Sequence, residues 1–191
     1  AWVNRRLQFT HGFGVTVSTV DDVSPAGEPV FVLSNIPPEI PSEFSDSTKS
    51  IQLTQPRIYY GEKTEEYVIV NSDSEEFDFP LTPGTDASSE LGTAEQVRTR
   101  YEGDGGVKLG GFLKRLAFAW EMADTNILIS GSLNSESRIL FRRNIQERIK
   151  ELAPFLALDN DPYIIIDENG DLFWIQDAYS ITDRFPYSQP H

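Results

Sequence analysis

The sequence predicts an α+β fold, a mostly antiparallel sheet with two principal helices packed against it. Three observations carry this prediction. Residues 56–80 alternate short β-prone runs with polar turns, residues 111–155 switch to helical spacing, and residues 163–175 place Asn-Gly between two apolar runs. A length of 191 residues suits one domain able to bury a sizeable core. The span 1–191 is therefore read as a single soluble domain.

Residues 1–35 read as an N-terminal arm followed by strands. Val15, Val17 and Val20 stand among Thr and Ser, a β-type composition. After turns at Asp21-Asp22 and Pro25-Ala26-Gly27, Pro29-Val30-Phe31-Val32-Leu33 forms a second short strand. Pro37, Pro38 and Pro41 lack backbone donors, so that stretch is an extended surface segment. Arg57–Tyr60, Tyr67–Val70 and Phe77–Phe79 read as a meander. Residues 81–106 hold few large apolar side chains and end in Glu102-Gly103-Asp104-Gly105-Gly106, which predicts a long mobile loop.

Phe112, Leu116, Ala119, Trp120 and Ala123 recur at spacings of three and four, which places them on one helix face. A second helix is predicted from Ser137 to Ala153. There Ile139, Leu140, Ile145, Ile149 and Leu152 form an apolar stripe that Pro154 ends. Tyr163–Ile166 and Leu172–Ile175 then flank Asp167-Glu168-Asn169-Gly170-Asp171, the strongest hairpin signal in the chain.

Composition excludes several chemistries. There is no Cys, so disulfides, thiolate metal sites and a cysteine nucleophile are out. Two His, at positions 11 and 191, leave no multi-histidine metal site. A formal net charge of −14 disfavours nucleic acid and anionic lipid as partners. The charge is uneven: residues 101–150 carry eight basic and six acidic side chains, and the acidic excess lies elsewhere. No apolar run approaches the roughly 18 residues of a membrane span. The chain opens on Ala1 and its one Met is Met122, which fits a piece of a longer polypeptide.

Each candidate site has a functional reading and an ordinary one. Asp159-Asn160-Asp161 with Asp167, Glu168, Asn169 and Asp171 is the densest oxygen cluster, and calcium takes such ligands. Turns rich in Asp and Asn for backbone reasons are the ordinary reading. Arg138, Arg142, Arg143, Arg148 and Lys150 lie on one predicted helix, and arginine suits bidentate binding of carboxylate or phosphate. Internal pairing, for instance of Arg138 with Asp159 or Asp177, is the alternative. His11, in Thr10-His11-Gly12-Phe13-Gly14, is a general base or a structural hydrogen-bonding group. No nucleophile-elbow motif accompanies it. Tyr59, Tyr60, Trp174 and Tyr179 line a sugar-binding surface or fill the core.

The longer motifs carry a resemblance. They include Trp2-Val3-Asn4-Arg5, Thr10 to Gly14, Gln55-Pro56-Arg57-Ile58-Tyr59-Tyr60-Gly61-Glu62 and Tyr67-Val68-Ile69-Val70. Further on come Ser137-Arg138-Ile139-Leu140, Arg143-Asn144-Ile145, Ala153-Pro154-Phe155-Leu156, Asp159 to Tyr163, Trp174 to Tyr179 and Pro186-Tyr187-Ser188. Together they resemble the soluble part of a family of large, uncharacterised bacterial integral membrane proteins. The likeness runs through most of the chain except residues 81–100. It implies a multi-span membrane region followed by an extracytoplasmic portion that contains this chain, and it implies no activity. His11, Arg57, Arg138, Asp159, Asp161 and Asp177 fall inside the motifs and form the candidate polar cluster.

The function expected is that of a non-catalytic extracytoplasmic domain of a bacterial cell-membrane protein, serving envelope interaction, assembly or ligand sensing. Its expected partners are its own transmembrane region and envelope components, with no nucleic acid. No cofactor is expected apart from the calcium candidates at Asp167, Asn169 and Asp171. The alternatives are a carboxylate-based envelope hydrolase acting on glycan or phosphate ester, and a carbohydrate-binding module.

Overall fold

The computed structural model describes residues 1–42, 44, 51, 53–80, 96–182 and 184. In chain order its strands are β1 Gly12–Phe13, β2 Val17–Val23, β3 Pro29–Leu33, β4 Arg57–Ile58, β5 Val68–Val70, β6 Glu76–Pro80, β7 Gln96–Thr99 and β8 Val107–Lys108. Helices α1 Phe112–Glu121 and α2 Asn126–Ile129 follow, then β9 Arg138–Leu140, α3 Ile145–Leu152 and β10 Leu156–Leu158. The chain continues through β11 Tyr163–Ile166, β12 Leu172–Ile175 and β13 Ala178–Ser180. A short π-helix, Asn4–Gln8, precedes them all. The class is α+β and, among the described residues, every ladder is antiparallel, with one isolated parallel bridge between Gly61 and Asn144.

The centre is the three-stranded sheet β5-β9-β8. All three residues of β5 are buried, so its alternating side chains serve two cores. Tyr67 and Ile69 join Leu7, Leu109, Ala119, Ile127, Leu133 and Ile139 on one face. Val68 and Val70 join Tyr101 and Leu140 on the other, with Tyr59 and Tyr60 packed against them. The register pairs Ile69 with Ile139 and Val68 with Leu140, so partners share a face. The first face lies under the N-terminal arm, α1 and α2, and the second under the aromatic residues that line the candidate site.

Several expectations are corrected. Asp21 and Asp22, expected in a turn, continue strand β2, and the turn begins only at Pro25. Residues 57–80 are not a meander: β4 pairs with β1, β5 with β9 and β6 with β7. The second helix covers only Ile145–Leu152, because Arg138–Leu140 is a strand. Arg142 then takes a left-handed backbone (φ 49°), and the Asn144 side chain caps α3 by accepting from the Glu147 N–H at 3.1 Å. Ile139 and Leu140 mimicked the start of a helical stripe, although they belong to the sheet. The Pro37–Pro41 stretch begins inside a turn closed by the Ser34–Glu39 bridge. Of the long loop expected at 81–106, residues 81–95 lie outside the described ones, and 96–99 form β7.

The hairpin prediction holds, with β11 and β12 in register from Tyr163–Ile175 to Ile166–Leu172. Its five-residue turn is closed by Asp167, whose Oδ1 accepts from the Asn169 and Asp171 N–H groups at 2.9 and 2.8 Å. Gly170 supplies the positive φ of 84° that the turn requires.

Candidate functional site

Strand β6 reverses the usual pattern. Its sequence Glu-Phe-Asp-Phe turns the acids inward, leaving Glu76 and Asp78 buried and the two Phe half-buried. Phe77 packs edge-on to Phe9 and Phe79 lies against Phe13, at centroid distances of 5.4 and 4.6 Å. Burying two carboxyl groups is costly unless each finds partners, and here both do.

Asp78 accepts a bidentate pair from Arg57, Nε to Oδ1 at 2.8 Å and Nη2 to Oδ2 at 2.7 Å. His11 Nε2 lies 3.1 Å from Asp78 Oδ1, and its Nδ1 lies 2.9 Å from Thr10 Oγ1. Glu76 takes hydrogen bonds on both oxygens. Oε1 accepts from the N–H groups of Tyr101 and Asn71 at 3.1 and 3.4 Å, and Oε2 from the hydroxyls of Tyr59, at 3.2 Å, and Thr10. The His11 ring stacks obliquely on Tyr59 at 4.7 Å. The hydrogen bond to Asp78 raises the pKa of Arg57. Burial, reinforced by Glu76, raises that of Tyr59.

Arg143 knots this cluster to the rest of the fold. Its buried guanidinium donates to three carbonyls: Tyr59 O (2.7 Å), Thr10 O (2.7 Å) and Glu66 O (3.2 Å). Desolvation lowers its pKa. One side chain thus joins the N-terminal arm, the segment after β4 and the loop before β5.

Beside the cluster is a cavity of about 300 Å³. Arg57, Tyr59, Tyr60, Tyr101 and Trp174 line it, together with the exposed Arg100 and Glu102. Trp174 is fixed by its Nε1–H, which donates to Tyr60 O at 2.9 Å. Gly103 and Gly105 wrap the Tyr101 ring so closely that a Cβ at Gly105 would sit 2.8 Å from the Tyr101 hydroxyl. These glycines permit close packing, where the sequence suggested loose chain.

The remaining candidates lie elsewhere. Arg138 is on β9 and donates to the carbonyls of Asp104, Gly105 and Gly106, at 2.7 to 3.4 Å. It pairs with neither Asp159 nor Asp177, and it shares no helix face with Arg142. Asp159 and Asp177 are joined through backbone, Asp159 N–H to Asp177 O at 2.9 Å, and both are exposed, as is Asp161. Asp167 and Asn169 engage each other in the hairpin turn, Nδ2 to Oδ2 at 3.0 Å, and Asp171 accepts from Thr54 Oγ1 at 3.1 Å. The N–H of Asp171 holds the pKa of Asp167 below the usual carboxyl range, with help from Asn169. Among the described residues no group of three His, Cys, Asp or Glu side chains is placed to hold a metal ion.

The structure therefore unites His11 and Arg57 and leaves Arg138, Asp159, Asp161 and Asp177 outside. Sequence reasoning missed Glu76, Asp78, Thr10 and Arg143 as members of the cluster. One signal was legible: two acids at i and i+2 of a strand share a face, and alternate with large aromatics.

A different surface stands out on α1. Its buried residue is Ala119, and Phe118 packs on the core beside it. Phe112, Leu113, Leu116 and Trp120 are all exposed, Trp120 to 88%. The apolar stripe read from the sequence is thus divided: Ala119 meets the core, and Phe112, Leu116 and Trp120 face solvent. The core accepts the smaller Phe118–Ala119 edge.

Fold and site together define a class: an α+β domain on an antiparallel sheet covered on both faces, with a buried, internally bonded ionic cluster. The chain belongs to UPF0182, an uncharacterised protein family whose model matches residues 1–191. It is 46% identical over 190 residues to a UPF0182 protein of Pelotomaculum thermopropionicum, covering 100% of this chain and 19% of that one. A UPF0182 protein of Desulforamulus reducens is 43% identical over 189 residues, covering 99% and 18%, respectively. One of Clostridium acetobutylicum is 43% identical over 190 residues, covering 100% and 19%. The chain spans about a fifth of the length of these relatives. No solved structure matches it. Among the described residues no helix is long and apolar enough to cross a membrane.

Proposed function

We infer that this chain is a non-catalytic assembly domain of a larger membrane protein, placed on the extracytoplasmic side, with α1 docked against the rest of the same polypeptide. The observation that carries the reading is the exposed stripe Phe112, Leu113, Leu116 and Trp120. A contiguous apolar patch of that kind marks a contact surface. An occupant within the same polypeptide accords with the relatives, some four fifths of whose length lies outside this chain. The resemblance to multi-span bacterial proteins supports a membrane-embedded partner. A carboxylate hydrolase draws less support, because Glu76 and Asp78 are buried and bonded to the protein itself.

The test uses the full-length protein in a cysteine-free background, in whole cells, with a membrane-impermeant maleimide. Cysteine at position 168, on the exposed hairpin turn, is expected to label without lysis. Cysteine at position 120 is expected to be protected until the membrane is solubilised. Labelling of position 168 only after lysis would overturn the extracytoplasmic placement. Equal labelling of both positions in intact cells would overturn the docking.

A further inference from the structure

We propose that the cavity between Trp174 and Tyr101 is a binding site for a single neutral sugar ring. The inference is independent of the docking of α1. The cavity volume of about 300 Å³ is at the lower end of the range for ligand pockets, enough for one ring. Tyr59, Tyr60, Tyr101 and Trp174 bring four aromatic side chains to one small cavity. Two of them are held rigidly, Trp174 by its bond to Tyr60 O and Tyr59 by its bond to Glu76. Rigid aromatic side chains offer apolar contact at little entropic cost, and the C–H faces of a pyranose provide the matching surface.

Charge selects among ring-shaped ligands. Two cations, Arg57 and Arg100, are met by two acids, Asp78 behind Arg57 and Glu102 in the lining. Both forks of Arg57 are already committed, Nε and Nη2 to Asp78 and Nη1 to Gln55 Oε1 at 3.3 Å. An anionic ligand therefore finds no surplus positive charge here, and it approaches a chain of net charge −14. A wholly apolar ligand is disfavoured for the opposite reason, since it would strip water from Arg100 and Glu102 without replacing it. A ligand with apolar faces and a hydroxylated edge satisfies both demands. Its hydroxyls donate to Glu102 and accept from Arg100, and its faces meet the aromatic side chains.

The experiment is saturation-transfer NMR on the purified full-length protein in detergent. The probes are glucose, galactose, mannose and N-acetylglucosamine, with inorganic phosphate and adenosine as competitors. At least one sugar should give a saturable signal that phosphate does not displace. Arg100→Gln and Glu102→Gln, both exposed and expected to keep the fold, should each weaken that sugar roughly tenfold, the effect of losing about 1.4 kcal/mol. Trp174→Phe, which keeps an aromatic wall, should weaken it less than Trp174→Ala. Absence of any saturable sugar signal overturns the proposal. So does displacement by phosphate or adenosine, or unchanged affinity in both Arg100→Gln and Glu102→Gln.

Discussion

Arg57 and His11 meet on one oxygen: Asp78 Oδ1 accepts from Arg57 Nε at 2.8 Å and lies 3.1 Å from His11 Nε2. The two residues are 46 positions apart in the chain, and each sits on one strand of the β1–β4 pair or directly beside it. The shared acid comes from β6, so this oxygen ties three strands together.

Removing the acid should therefore be expensive. Asp78→Ala leaves Arg57 and His11 without their common partner in a buried setting, and should cost about 3 kcal/mol of unfolding free energy. The partial exposure of Arg57 keeps the figure at the low end of the range for buried pairs. Arg57→Lys keeps a charge but loses the two-point geometry, and should cost less. Urea denaturation measures both. A loss below about 1 kcal/mol for Asp78→Ala would show that the cluster adds little.

Stability should fall at alkaline and at acid pH. Burial, helped by the bond to Asp124, lifts the Tyr67 hydroxyl from 10.0 to about 12. A pKa raised on folding gives stability that is complete below pH 10.0 and is lost as pH rises through about 12. Tyr59 shifts in the same direction. Asp124 works the other way. Desolvation pushes its pKa up, but hydrogen bonds from Tyr67, Asn126 and Trp2 outweigh it and hold it below 3.8. Its contribution is present above pH 3.8 and is lost as pH falls through the lowered value. Denaturation midpoints recorded against pH check this, and Tyr67→Phe should flatten the alkaline limb between pH 10 and 12.

Gly106 should tolerate no side chain. Its φ is +78°, and an added Cβ would press on Leu140 and sit 2.7 Å from Ile139 O. Gly106→Ala should cost about 2 kcal/mol, through left-handed strain together with overpacking. Gly131→Ala, with nothing within 4 Å of the new Cβ, should stay within about 0.5 kcal/mol. Thermal or urea unfolding of the two variants side by side separates the effects.

The two faces of α1 should respond oppositely to substitution. Trp120→Ala should leave the stability of this chain within about 0.5 kcal/mol, because the ring is 88% exposed. Ala119→Leu, one residue earlier and 8% exposed, should destabilise by about 1–3 kcal/mol through overpacking. Acrylamide should quench Trp120 strongly in this chain. In the full-length protein that quenching should be lost.

The sequence by itself determined the class, the first part of β2, β3, the β11–β12 hairpin and the presence of helices around residues 112–152, but it read Asp21-Asp22 as a turn where β2 continues. These depend on local signals: alternation, spacing of three and four, Asn-Gly and Pro. The start of α3 was also legible, since Asn144 and Glu147 form an N-cap pair that the Ile139–Leu140 stripe masked. Beyond the β11–β12 hairpin, tertiary structure alone decided which strands pair, and it decided which acids are buried and which side of α1 faces water. Glu76 is buried because Thr10, Tyr59 and the Tyr101 N–H reach it from up to 66 positions away. No local pattern encodes such partners. The stripe on α1 was read as a core face because periodicity reports amphipathicity and is silent about what covers the apolar side. Here Ala119 and Phe118 pack on the core, and Phe112, Leu113, Leu116 and Trp120 are left outside.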